Sequence, residues 1–442
     1  MRNAFLVIVL LVSLGALFFL LLAPPRVISL FGNVLGVATD TISGAVPPLT
    51  ITSGSTTSSV VSTTIARGVT DIEYQKSLPN PPAIVKGIYA TGWSAGSVNK
   101  MKYLTGLIDR TELNAIVIDI KDYSGFVSYH TGVPEVSASG AEKEIRIAKP
   151  NTVIKELHDK GIYVIGRVSV FQDPVLAKAH PEWALQDITT SSTWKDSKGL
   201  AWMDPASENV WAYDVSSARD ALARGFDEIN FDYVRFASDG ALAHIRFPAW
   251  DGVTPKHEII KKFFTYVRGE LPGARISADL FGLATVNPDD LGIGQVIEDG
   301  YQNFDFISPM VYPSHYAGGF LGYKNPASFP YEIIQYSIQT ALSRLQGEWP
   351  RLVTPVANTS TPQASGTVVN ATTSPSSPVY HAGLRPWLQD FNLGATYNAE
   401  MVRKEIQATE EVLSTAHSSS SFAGWLLWNA SNVYTEAALR KE

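Results

Sequence analysis

Cysteine is missing from all 442 residues, which excludes disulfides, thiol nucleophiles, thiolate metal sites and a lipid-modified N-terminal cysteine. There is no basic surplus: 35 Lys and Arg against 42 Asp and Glu leave a formal charge of −7. Without a run of lysines and arginines, nucleic acid is not an expected partner. The eight histidines show no H-x-H or H-E-x-x-H spacing, so a histidine metal centre has no support. Neither G-x-G-x-x-G nor G-x-x-x-x-G-K-[ST] occurs, and no cofactor is expected. What is present is an ordinary globular mixture, 45% hydrophobic and 17% charged, enough to bury a large core. The 10 Trp and 18 Tyr offer flat faces that stack on sugars or fill core.

Residues 5 to 23, FLVIVLLVSLGALFFLLLA, are uncharged and about as long as a bilayer-spanning helix. Arg2 and the amino terminus precede this run, the short positive region shared by signal peptides and signal anchors, both of which translocate the downstream chain. Pro24 and Pro25 directly after Ala23 disfavour cleavage. The expectation is a membrane anchor over 1–26 with the rest of the chain on the extracytoplasmic side; secretion after cleavage is the alternative. Residues 27–83 read as a linker, uncharged and rich in Ser, Thr, Gly and Pro between Thr41 and Ala66. A similar stretch at 357–379 reads as a low-complexity insertion in the domain spanning 84–442.

Within 84–442, eight β-rich runs alternate with helical patterns: 86–91, 115–121, 163–171, 228–236, 275–282, 304–312, 385–391 and 424–429. The intervening segments 151–161, 257–271 and 330–345 repeat apolar residues at three and four. Gly161 and Gly225 suit left-handed helix ends before the next strand. Eight such units predict an α/β fold of the (β/α)8 TIM-barrel type rather than an open doubly wound sheet.

Barrel chemistry sits at the C-terminal ends of the strands. Those ends carry Asp119, Lys121 and Asp122 (second strand), Arg167 (third), Asp232 and Arg235 (fourth), and Asp279 (fifth). Tyr312 and His315 follow the sixth, Gln389 and Asp390 lie in the seventh, and Asn429 follows the eighth. Charges within apolar strands are costly unless paired or used. Asp232, between Phe231 and Tyr233 in the middle of EINFDYVRF, stands out; Arg235 or Arg167 would keep it ionised, as a nucleophile or general base requires. A glycosidase needs a second, protonatable carboxyl across the scissile bond. Asp279 on the adjacent strand is the first candidate and Asp122 the second. Trp93, Trp194, Trp202, Tyr316 and Trp428 are rim aromatics suited to a sugar cleft.

The segments GFDEINFDYVRFASDG (225–240), ISADLFG (276–282), DDLGIGQ (289–295), ISPMVYPSHY (307–316), RPWLQDF (385–391) and WLLWNASNVY (425–434) together resemble the putative glycosyl hydrolase domain family DUF4015. That resemblance implies a TIM barrel related to α-amylase and α-galactosidase-like enzymes, in which an acid closing the fourth strand is the nucleophile; Asp232 corresponds. The expected function is hydrolysis of an extracellular or cell-envelope polysaccharide or oligosaccharide. The alternative is a surface carbohydrate-binding barrel that cleaves nothing. A serine-hydrolase reading of GWSAG at 92–96 fails for want of the upstream strands and an HGGG-type segment.

Overall fold

The structure is a computed structural model and describes residues 70–348, 380, 382–416 and 421–441. The apolar run at 5–23, most of the linker and the insertion at 357–379 lie outside the described residues. Among the described residues no helix is long and apolar enough to cross a membrane.

Eight parallel strands close into a barrel: β1 (Val85–Ala90), β2 (Ala115–Lys121), β3 (Tyr163–Ser169), β4 (Glu228–Asp232), β5 (Ile276–Phe281), β6 (Phe306–Met310), β7 in two pieces (Gly383–Leu384 and Trp387–Gln389) and β8 (Gly424–Trp428). Each pairs with its sequence neighbours, and β8 returns to β1 with Val85 opposite Gly424. Pro386 separates the two pieces of β7, where a residue without an N–H cannot continue the ladder. The outer layer is made of α1 (Val98–Ile108), α2 (Pro150–His158), α3 (Glu208–Arg224), α4 (Lys256–Glu270), α5 (Ile297–Asn303), α6 (Pro330–Leu345) and α7 (Ala399–Leu413). After β8 only a short 3-10 turn, Glu436–Ala438, follows among the described residues. The order is that of a (β/α)8 barrel.

Side chains alternate across each strand, one row into the barrel and one toward the helices. The inward row forms its own apolar cluster of Val85, Tyr89, Ala115, Val117, Tyr163, Ile165, Tyr312, Trp387 and Leu426. A larger cluster lies between strands and helices, where Phe263 and Phe264 of α4 meet Phe231 and Phe304. Local signals set the helices as expected. Ser97 caps α1 by accepting from the Lys100 N–H, and Gly225 closes α3 at φ +108°.

Two features depart from the sequence reading. Asp232 ends β4 instead of lying mid-strand, because Tyr233 turns the chain into the left-handed region at φ +55°. Residues 70–83, expected as the end of a linker, bind the barrel: Asp71 accepts from the Asn151 and Thr152 N–H groups at the start of α2, and Asp227 accepts from the Leu78 N–H.

Candidate active site

The C-terminal mouth of the barrel is organised around Arg167 of β3, 3% exposed. Its guanidinium donates to Asp119 Oδ1 on β2 at 2.6 Å and to Asp232 Oδ2 on β4, and its Nε lies 3.7 Å from Asp279 Oδ2 on β5. Three strands thus aim carboxyls at one cation. The β2–β3 and β3–β4 registers make this possible, since Asp119 faces Arg167 and Arg167 faces Asn230. Burial opposes the charge on Arg167, but Asp232 and Asp119 more than offset it and hold the group above the usual guanidinium range.

The two carboxyls expected to act as a pair have different surroundings. Asp232 has its Oδ2 on Arg167 and accepts the Tyr233 N–H at Oδ1, 2.6 Å. Asp279 is 1% exposed, and its Oδ1 accepts from Asn230 Nδ2 and Trp387 Nε1, each at 2.8 Å. Burial first, and then the charge of Asp232, push Asp279 up to about 8. An indole N–H can only donate, so a proton on Asp279 belongs on Oδ2. Asp119 is also raised, chiefly by burial, with Arg167 opposing; the Tyr89 hydroxyl donates to its Oδ2 at 2.5 Å.

Above these groups lies a cavity of about 250 Å³ lined by Arg167, Asp232, Tyr233, Arg235, Asp279, Phe281, Met310, Tyr312, Trp387 and Trp428. A second hollow of about 200 Å³ shares Phe281, Met310 and Tyr312 with it and continues past His315 and Tyr316. Trp428 stacks on Tyr89 with centroids 4.0 Å apart and meets Trp387 edge-on at 5.4 Å, so the floor is an aromatic corner beside Arg167.

Of the residues singled out from sequence, Asp232, Asp279, Arg167, Arg235, Tyr312 and Trp428 line the cavity, His315 lines its extension, and Asp119 lies beneath, bound to Arg167. Of the two arginines expected beside Asp232, Arg167 pairs with it and Arg235 does not: after the turn at Tyr233 the Arg235 guanidinium packs over Trp202, and its Nη1 donates to Phe236 O and Ser238 Oγ. Trp202 is 1% exposed and backs Arg235 instead of facing the cavity.

Lys121 is turned away altogether. The β2–β3 register slips between Asp119 and Lys121, placing Lys121 opposite Val168 of the outer core. There its Nζ reaches Asp173 at 2.7 Å and Asp214 of α3 at 2.5 Å, all three side chains fully buried. Burial raises Asp214 to about 7. The bulge converts an expected site residue into an ionic anchor between barrel and helix.

Asp122, the second candidate for the acid, pairs with Arg146 at 2.5 Å outside the cavity lining, and Arg146 lies over the exposed Trp93 ring on the rim. Gln389 holds loops by accepting from the Ser314 N–H and donating to Phe391 O, while Asn429 donates to Asp390 O. Trp194 donates to Ala241 O, and Tyr316 shares a 2.8 Å hydrogen bond with Ser337. Tyr89, Asn230, Trp387, Phe281 and Met310 were not anticipated. Strict alternation along each strand was the available signal, since Asn230 is two residues before Asp232 and Tyr89 four after the inward Val85. The GWSAG segment has a packing explanation: a Cβ on Gly92 or Gly96 would collide with Ser128 or with the Arg146 carbonyl. Among the described residues no group of three or more His, Asp or Glu could hold a metal ion.

The profile of a family described as a putative glycosyl hydrolase domain, DUF4015, matches residues 87–434. A search of curated proteins finds no match. Among solved structures, a hypothetical protein from Ruminiclostridium thermocellum ATCC 27405 is 39% identical over 47% of this chain and 98% of its own, with a TM-score of 0.40. The PgaB (BpsB) glycoside hydrolase domain from Bordetella bronchiseptica is 12% identical over 79% of this chain and 95% of its own, with a TM-score of 0.52, a likeness of fold alone. The α-galactosidase TtGalA from Thermus thermophilus is 14% identical over 62% of this chain and 50% of its own, with a TM-score of 0.39.

Proposed function

The chain belongs to the DUF4015 putative glycosyl hydrolase domain family, and from that premise we propose that it hydrolyses glycosidic bonds in a polysaccharide or oligosaccharide through Asp232 and Asp279. One observation carries the reading. Two carboxyls on adjacent strands line one cavity in contrasting surroundings, Asp232 in an ion pair with Arg167 and Asp279 pushed up to about 8. Environments that separate two titratable groups in this way assign an acid and a base. Asp279 would pass its proton to the glycosidic oxygen as the C1–O bond breaks. Asp232 would either attack C1, to be released by water in a second step, or take a proton from a water attacking C1. Arg167 positions Asp232 and compensates its charge. Tyr312, Trp387 and Trp428 offer apolar faces to a sugar ring.

We read the substrate as an extracellular or cell-envelope glycan; the support is the apolar run at 5–23 behind Arg2, which lies outside the described residues. A second reading, a sugar-binding barrel without turnover, is favoured by the 1% exposure of Asp279, which leaves a substrate little edge to approach. Screening the full chain against envelope and plant glycans for reducing-end release tests the first reading. Asp232→Asn should abolish release and keep binding. Glycans bound tightly by the unaltered chain but left intact would establish the second reading instead. For a cleaved glycan, NMR of the first-formed anomer separates retention from inversion.

A further inference from the structure

Arg235 is 8% exposed and lines the same cavity as Asp232 and Asp279, yet no ion pair is found for it among the described residues. Aromatic rings enclose it: its Cζ lies 4.7 Å from the Trp202 ring centroid, 4.8 Å from that of Phe281 and 5.5 Å from that of Tyr233. Its Nη1 is committed to Phe236 O at 3.1 Å and Ser238 Oγ at 3.0 Å. No hydrogen bond to Nε or Nη2 is found among the described residues. The nearby acids are engaged elsewhere. Asp232 is bound by Arg167, Asp196 accepts from Trp202 Nε1, and Asp239 accepts from the Ser197 N–H.

A largely buried guanidinium held by one nitrogen, walled by rings and lacking an ion-pair partner is a costly group to keep. Its remaining edge presents two parallel N–H donors, the fork that matches a planar carboxylate or two sulfate oxygens. Neutral sugar hydroxyls would meet the donors but leave the charge uncompensated. Resting on the glycosidase reading above, we infer that Arg235 binds an anionic substituent on a substrate sugar, so that the site takes an acidic glycan, carboxylated or sulfated. Asp232 stands in the same cavity with its Oδ2 bound by Arg167, which Asp119 also engages, so the open fork of Arg235 is the donor left for an incoming anion.

The test uses the full chain carrying Asp232→Asn to block turnover. Titration calorimetry compares uronate-containing oligosaccharides, their carboxyl-reduced forms and sulfated forms of the same backbone. At least one acidic form should bind about tenfold or more tightly than its neutral counterpart, the scale of a charge-assisted hydrogen bond. Whether the carboxylated or the sulfated form leads identifies the anion. The preference should fall toward unity in Arg235→Gln, persist in part in Arg235→Lys, and shrink as salt is raised. Equal binding of acidic and neutral forms, or an Arg235→Gln protein that loses both alike while keeping its melting temperature, overturns the inference. Should Arg235→Gln fail to fold, the salt dependence decides in the Arg235-containing protein: a preference that is absent or insensitive to salt overturns it. Acidic preference without hydrolysis by the unaltered chain would refute the glycosidase reading alone, and hydrolysis of neutral glycans without that preference would refute this inference alone.

Discussion

Replacing Asp279 with Asn should disable the site and stabilise the fold, and the stabilisation should depend on pH. Burial raises this carboxyl from 3.8 to about 8, so between those values the native state holds a proton that the unfolded chain has released. Unfolding free energy then falls as pH rises through this window, because the native state binds more protons than the unfolded one. At about 1.36 kcal/mol per pH unit above the ordinary value, the cost is about 4 kcal/mol at pH 7 and near zero at pH 4. Asn carries no such cost, and its carbonyl oxygen can still accept from Asn230 and Trp387. Taking about 2.1 cal/mol/K per residue over the Ala66–Glu442 unit, the melting temperature of Asp279→Asn should exceed that of the unaltered chain by up to about 5 °C at pH 7, with the gap closing by pH 4. Glycan hydrolysis should fall by about 10²–10⁴, the ordinary contribution of a general acid. Scanning calorimetry from pH 4 to 8 makes the comparison. A gap that is flat with pH, or widest at low pH, would refute the reasoning.

Further expectations rest on the same geometry. Arg167→Gln strands Asp119, Asp232 and Asp279 around a missing cation and should cost about 3–5 kcal/mol at neutral pH. Since the freed carboxyls are then raised, thermal melts should show the deficit shrinking as pH falls. Lys121→Met should destabilise by a comparable amount through Asp173 and Asp214, while kcat of the folded fraction, measured well below its melting point, stays within about twofold; a selective loss of kcat would place Lys121 in the chemistry after all. Trp387→Phe removes a donor that favours the ionised form of Asp279, so the high-pH limb of the rate profile should move upward. A downward move would contradict the assignment of Asp279 as the acid.

Much of this architecture was legible in the sequence because a parallel strand is a local signal. Each of the eight runs overlaps a strand, and the closed barrel follows from their number and the helical segments between them. Asp232, Asp279 and Arg167 could be picked out for a related reason, as ionisable residues inside apolar runs that must be paired or used. Two backbone irregularities escaped that logic. The bulge beyond Asp119 turns Lys121 outward, and the positive φ of Tyr233 ends β4 early and swings Arg235 back over the cavity. Neither residue type announces such a turn. Trp387, Asn230 and Tyr89 were missed because neutral residues on an inward row look like filler until the register shows what they touch. Rim residues such as Asn429 lie where loop course decides contacts, and Gln389, the last residue of β7, spends its amide on the loops beside it.

The central claim is that Asp232 and Asp279 work as one unit on a glycosidic bond, and the most direct measurement is a mutant cycle on the best glycan substrate. Turnover is compared for the unaltered chain, Asp232→Asn, Asp279→Asn and the double variant, each confirmed folded by its melting profile. The account predicts that each single substitution costs about 10² or more and that the double falls little further than the worse single, as for groups acting together. Independent, multiplying losses, or either single variant retaining near-full turnover, would contradict it.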